Sequence, residues 1–430
     1  MTPFLLAITI LSILLTIQAA HTAYIMIYTW DRPDAYRRSR APETFRPPDK
    51  SFTVLLPARH EEEVIQDTIG RVVGARYPRS LMEVLVICEH TDRGTIDKVE
   101  EKIAELRRER IGNVRLVVFD DTPINKPHGL NIGLANSSYE VVTIFDAEDE
   151  IHPDVFNIVN TVMLEEGVRV VQCGVQLMNY DSSWYSALNV LEYFFWFKSR
   201  LHYHSQMGVT PLGGNTIFFA RDLLEEIGGW DEHNLTEDAD VGIRISALRE
   251  RIRVVYDDEY VTREETPPTL GHFIRQRTRW SQGFLQTLRK GDWLRLPTWK
   301  QRLMAAYTLG FPTAQAVLAL YVPVSLWMMF TTKVHVAQAI VLLMPAYLLV
   351  SHYFMAMIGL FEFAEAHGLR ATWKTPLIMA IAYLPYQWML AYAAFRAFVR
   401  EVRGVSNWEK TQHVGAHRTG EQERQGRRAA

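Results

Sequence analysis

Short apolar runs alternate with helical stretches through the middle of this chain, while long unbroken apolar stretches lie at both ends. Phe52-Thr53-Val54-Leu55-Leu56-Pro57 reads as a buried strand and is followed by an amphipathic stretch from Glu61 to Gly74. Glu83 to Cys88 predicts a second strand, residues 94–110 a charged helix, Val114 to Phe119 a third strand and Val141 to Phe145 a fourth. Strands separated by helical patterns of 10 to 15 residues argue for a parallel sheet wound by helices, with ligands at the carboxyl ends of its strands. Further on, Leu270, Phe273, Ile274, Trp280, Phe284 and Leu288 recur every three to four residues among Arg275, Arg277, Arg279, Arg289 and Lys290. That spacing predicts a basic amphipathic helix suited to a bilayer surface. The aromatic-rich stretch from Trp184 to Tyr203 fits either a core helix or a second interfacial one.

Charge sharpens the picture. Four stretches carry no Asp, Glu, Lys or Arg: Met1 to Trp30, Leu303 to Thr332, Val334 to Phe361 and Pro376 to Phe395. A helix crossing the hydrocarbon of a bilayer needs about 20 apolar residues, which each stretch supplies. They predict spans near residues 4–28, 313–331, 336–360 and 377–397. The first lacks a basic start and a clean cleavage site, which favours an uncleaved anchor over a signal peptide. The mean hydropathy of -0.07 averages over two solvents.

Arg32, Arg37, Arg38, Arg40, Arg46 and Lys50 follow the first span, so the positive-inside rule puts its end and the charged body in the cytoplasm. Three further spans would then carry the C-terminus outside, against Arg396, Arg400, Arg403 and the later basic residues. Either one C-terminal stretch does not cross, with Pro312, Pro323, Pro345 and Pro385 available to break helices, or the tail violates the charge rule. The expected divisions are an anchor at 1–30, a basic linker at 31–50, a catalytic body at 51–268, interfacial helices at 269–302, membrane helices at 303–400 and a basic tail at 401–430.

Composition excludes several classes. The apolar content is too high for a disordered or collagen-like chain, and the two cysteines, Cys88 and Cys173, read as buried thiols rather than a disulfide or metal framework. A formal net charge of -3 gives no general case for nucleic acid as a partner.

The candidate chemistry begins at Asp146-Ala147-Glu148-Asp149-Glu150, where carboxylates crowd just past a buried strand. They form either a solvated acidic turn or a site for Mg²⁺ or Mn²⁺, hard cations that leave positions open for substrate phosphates. Lys126-Pro127-His128-Gly129 places a cation and a glycine turn before a short helix, a plausible nucleotide-contacting loop. Gly213-Gly214-Asn215-Thr216 is either a close approach to a ligand or a turn entering a strand. Thr236-Glu237-Asp238-Ala239-Asp240 is either a helix cap with acidic first-turn residues or a site. The amphipathic helix carries Gln276-Arg277-Thr278-Arg279-Trp280, a grouping that membrane binding alone does not explain.

The order of these clusters resembles the membrane-integrated glycosyltransferases of family 2, relatives of cellulose, hyaluronan and chitin synthases, over residues 50–400. The resemblance implies a GT-A-type α/β domain between one N-terminal and about three C-terminal membrane helices. It implies a UDP-sugar donor, Mg²⁺ or Mn²⁺, inversion at the anomeric carbon, and a carbohydrate or lipid acceptor. It assigns Asp238 as base beside Glu237, and Asp146 with Glu148 or Asp149 to the metal. Pro57, Glu61, Glu89 (with Asp92 as rival), Lys126, Asp146, Gln276 and Arg279 would hold the donor, Trp280 and Gly214 the acceptor. It further implies a multi-pass protein of the cell membrane, with the catalytic domain cytoplasmic, that builds and exports a polysaccharide. A single-transfer enzyme making a glycolipid is the alternative, and a non-catalytic membrane scaffold a third. Trp408 to His413 reads as a loop returning to the catalytic domain or an interfacial anchor.

Overall fold

A computed structural model describes residues 3–407, so the Trp408 to His413 segment lies outside the described residues. An apolar helix, α1 (Pro3–Met26), leads into the body. Strand β1 (Phe52–Ala58) is followed by α2 (Ile65–Val73), β2 (Met82–Glu89), α3 (Arg93–Arg108), β3 (Val114–Phe119), α4 (Lys126–Ala135) and β4 (Val141–Ile144). Next come α5 (Val155–Glu166), β5 (Val170–Cys173), β6 (Val175–Leu177), α6 (Ser186–Phe195), a π-helical turn Trp196–Arg200, and α7 (Leu201–Met207). Then follow β7 (Ile217–Ala220), α8 (Glu237–Ala247), β8 (Ile252–Val255), β9 (Thr262–Glu264) and α9 (Leu270–Lys290). Three long apolar helices close the chain: α10 (Trp299–Thr331), α11 (Val336–Ala366) and α12 (Lys374–Val402).

The main sheet has the order β3-β2-β1-β4-β7-β5-β8. The first four strands pair in parallel, as their near-continuous apolar runs predict, but β7 is antiparallel to both β4 and β5. The expected all-parallel sheet is therefore a mixed one. Alternation along β1 divides the core: Phe52, Val54 and Leu56 pack with α2, α3 and α5, and Leu55 with α4 and α8 on the other face. Cys88 and Cys173 are buried free thiols.

The reversal of β7 positions the site. Parallel strands β1, β2 and β4 end at one edge, and an antiparallel strand begins there. Ile217 pairs with Ile144, and the Thr216 N–H donates to Ile144 O at 2.8 Å, so the Gly213-Gly214 loop meets the acidic loop after β4.

The aromatic helix α6 is a core element. Phe194, Phe195 and Leu191 join Phe273 of α9, Phe363 of α11 and Tyr386 of α12 in one buried cluster. That cluster joins the charged body to the apolar helices.

Among the described residues, four helices, α1, α10, α11 and α12, are long and apolar enough to cross a membrane by length and composition. The prolines break none of them: Pro312, Pro323, Pro345 and Pro385 all lie inside helices. Helices α1 and α11 run side by side, joined by Ser12 Oγ donating to Val341 O, and just past the end of α1 Trp30 Nε1 donates to Glu362 of α11. The last helix differs. Tyr180 Oη of the body donates to Arg370 O just before α12, and at its far end Arg400 and Glu401 meet Gln282, Gln286 and Arg289 of α9. Both ends of α12 thus lie against the charged body.

Candidate active site

A cavity of about 420 Å³ opens at the carboxyl edge of the sheet and extends to α10 and α12. Every residue anticipated for donor, acceptor or catalysis lines it: Pro57 and Glu61 after β1, Glu89 ending β2, Lys126, Asp146 with Glu148, Gly214, Glu237, Asp238, Gln276, Arg279 and Trp280. Asp149, expected as the alternative to Glu148 for the metal, does not line it. Its side chain is 0% exposed and turns inward, accepting from the Asp146 N–H at 2.8 Å and from Asn215 Nδ2 at 2.8 and 2.9 Å. Asp149 shapes the loop that presents Asp146 and Glu148. Burial pushes its pKa well up, with Glu264 and Asp146 adding repulsion.

Lys126 is the first residue of α4, not part of a turn ahead of it, and Asn125 caps that helix by accepting from the His128 N–H. From there its ammonium reaches the Asp146 carboxylate and, at 3.3 Å, Gly214 O. Burial works against its charge, but Asp146 and Glu237 outweigh it and raise the pKa. Among the described residues, no three metal-ligating side chains cluster. The donor set still suits a small hard cation. Asp146 and Glu148 offer oxygens on the cavity wall, Asp146 already holds a cationic group, and a cation that keeps waters for substrate phosphates needs only one or two protein carboxylates.

At the head of α8, Thr236 takes the N-cap position without a capping side-chain bond, and Glu237 and Asp238 of the first turn line the cavity. Asp238 Oδ1 accepts from the Ala239 N–H at 2.8 Å. Burial raises its pKa, although N–H groups of Ala239 and Gly214 and the charges of Lys126 and Arg279 hold it partly down. Glu237 is pushed up to about 7, first by burial and then by Asp238. Gly214 has φ +61, which favours glycine, and a Cβ there would stand 3.4 Å from Asp238 Oδ2, so this backbone lies directly against the carboxylate.

Helix α9 closes the site because Gly283 lets it touch Thr236. A Cβ at Gly283 would lie 2.4 Å from Thr236 Oγ1 and 2.5 Å from its N. Gln276 is 8% exposed, and its Oε1 is buried without a hydrogen-bond partner while lining the cavity. Arg279 Nη1 reaches Leu235 O at 3.5 Å. Trp280 lies 6.2 Å from Tyr193, and the Arg277 guanidinium stacks 4.6 Å from the Trp280 ring centroid.

Arg277 is one of the residues that sequence reasoning missed. It pairs with Glu192 and Asn189 of α6 and so fixes the face of Trp280. Glu264, Tyr193, Trp196 and Arg200 also line the cavity unanticipated. The crowded aromatics of 184–203 were the available signal. Between the rivals after β2, Glu89 faces the cavity, whereas Asp92 caps α3 by accepting from the Thr95 N–H and also binds the His60 N–H.

Residues 47–283, more than half of the chain, match the family described as glycosyltransferase like family 2. The chain belongs to glycosyltransferase family 2. It is 25% identical over 277 residues to the poly-beta-1,6-N-acetyl-D-glucosamine synthase of Staphylococcus epidermidis, covering 64% of this chain and 63% of that one. It is 26% identical over 236 residues to a beta-monoglucosyldiacylglycerol synthase of a Nostoc species, covering 54% and 49%. The chain thus spans less than two thirds of each of these relatives. A mannosyltransferase of Pyrobaculum calidifontis, solved in complex with GDP-Man and Mn²⁺, superposes with a TM-score of 0.54 at 20% identity, covering 92% of this family 2 chain and 99% of that one. That likeness establishes a shared GT-A-type fold.

Proposed function

We propose that this family 2 chain transfers a sugar, with inversion, from a UDP-sugar to a hydroxyl of a growing polysaccharide at a membrane. The observation that carries this reading is one cavity. The Asp238 carboxylate, the cationic and acidic donor groups and the Gln276, Arg279 and Trp280 set all face it, and its far wall belongs to apolar helices. The polymer synthase among the relatives supports the choice of acceptor.

Asp238 accepts the hydroxyl proton as the acceptor oxygen bonds to the anomeric carbon and the bond to the nucleoside diphosphate breaks. Its raised pKa makes it a stronger base than an ordinary carboxylate. Lys126 and Arg279 stabilise charge on the departing diphosphate, an effect worth about 3 kcal/mol for one preorganised donor. Trp280, held by Arg277, offers a flat face to the acceptor sugar. Asp146 and Glu148 would hold Mg²⁺ or Mn²⁺, which would neutralise diphosphate charge.

A second reading, a single transfer to a membrane lipid, is favoured by the apolar wall of Phe311, Pro312 and Leu390 and by the lipid-glycosylating relative. Labelled UDP-sugars with product sizing decide between them. A long polymer is expected, a lipid-extractable monosaccharide product overturns the polymer reading, and no donor turnover overturns both.

We further infer that α1, α10 and α11 cross the membrane and that α12, about 43 Å long, lies along its surface beside α9. Arg400 and Arg403 then share the cytoplasmic side with the catalytic body, which removes the charge conflict in the tail. A reporter fused after Arg403 should be active on the cytoplasmic side; activity outside refutes this topology.

A further inference from the structure

The cavity contains a cation that donor chemistry does not use. Arg200 ends the π-helical turn and lines the wall that also includes Phe311, Pro312 and Leu390. Its guanidinium lies 5.3 Å from the Phe311 ring centroid. Its Nε is buried without a hydrogen-bond partner. Glu192, the carboxylate that acts on it from a distance, is committed to Arg277. A guanidinium whose Nε is shut off from solvent without an acceptor is costly, and a bound oxyanion offsets that cost. The same turn leads to the reacting groups. A Cβ at Gly213 would stand 2.9 Å from the Phe197 ring and 3.6 Å from Trp196 Nε1, and the adjacent Gly214 abuts Asp238.

We propose that Arg200 is an acceptor-side anion site that binds the phosphate of a lipid entering the cavity from the apolar helices, so that a hydroxyl on the same headgroup faces Asp238. This rests on the second reading of the cavity, a single transfer to a membrane lipid, and not on the polymer reading. The observations favour a phospholipid over a soluble acid, because the guanidinium is flanked by an aromatic face and by side chains of two apolar helices. The planar fork of arginine suits phosphate oxygens.

The test uses the full chain in nanodiscs containing dioleoylphosphatidylglycerol or dioleoylglycerol, with lipid retention measured by native mass spectrometry and turnover by labelled UDP-sugars. Arg200→Gln should lower retention of the phospholipid about tenfold or more, leave retention of the neutral lipid and affinity for UDP unchanged, and be partly rescued by Arg200→Lys. Unchanged phospholipid retention in Arg200→Gln, or an equal loss for the neutral lipid, overturns the proposal. So does a loss seen only for a glucuronate-bearing oligosaccharide added in place of the phospholipid. The two readings fail separately. Absent donor turnover with Arg200-dependent retention sinks glycosyl transfer alone, and turnover with Arg200-independent retention sinks the anion site alone.

Discussion

The two acidic clusters, Asp146-Glu148-Asp149 and Glu237-Asp238-Asp240, are nearly interchangeable as sequence and differ in physical state. Each gives one carboxylate to the structure. Asp149 binds the Asp146 N–H and Asn215, while Asp240 is held by Arg244 at 2.8 Å and Lys290 at 2.9 Å. The remaining groups diverge. Asp146 sits against an ammonium group, whereas Glu237 and Asp238 lie under α9 with raised pKa values. A carboxylate matched to a cation suits charge binding, and one whose charge is disfavoured by burial suits proton acceptance. Burial and partners, more than residue type, separate the two roles.

The sharpest way to break this contrast is Asp238→Asn. Transfer should fall by about a thousandfold with UDP-sugar affinity retained, as expected for loss of a general base; equal loss of binding would show that the two clusters share one role. Next, Asp146→Asn should lower kcat/KM for the donor about a hundredfold through loss of charge binding, and EDTA should reproduce that loss in the wild type without adding to it in the variant. Additive losses would mean that Asp146 does not hold the cation. Gly283→Ala should push α9 away from Thr236 and destabilise the chain by about 1–3 kcal/mol, read as a lower Tm together with a lower kcat.

Glu237→Gln provides the finest test. Glu237 titrates near 7 in the fold against 4.5 when unperturbed, so its protonated form is favoured on folding. Its contribution to stability is full below about pH 4.5 and is lost as pH rises through about 7. The variant should therefore match the wild type in Tm at low pH and exceed it at pH 8.

Much of the fold was readable because its signals are local. Buried strands β1 to β4 follow from short apolar runs, and α9 from helical spacing with charges on one face. The direction of β7 was not, because a four-residue apolar run reads the same both ways; its partners β4 and β5 fix it. Glu148 and Asp149 are adjacent in sequence and read alike, and only Asn215, arriving from another loop, holds Asp149 away from the cavity wall. Arg277 reads as one charge of a basic helix, and only its pairing with Glu192 of α6, and the contact of Arg200 with Phe311 of α10, bring the two to the cavity.

Residue order by itself determined the division into a charged body and apolar helices, the edge of the sheet where chemistry gathers, and the motif set that marks the family. These rest on interactions between near neighbours along the chain. Tertiary structure decided which carboxylates face the cavity, how a basic helix with a glycine closes over Glu237 and Asp238, and why the last apolar helix returns both its ends to the body. Those outcomes depend on contacts between residues distant in the chain, such as Asp149 with Asn215, Thr236 with Gly283 and Gln282 with Arg400, whose pairing is set by packing and not by local spacing.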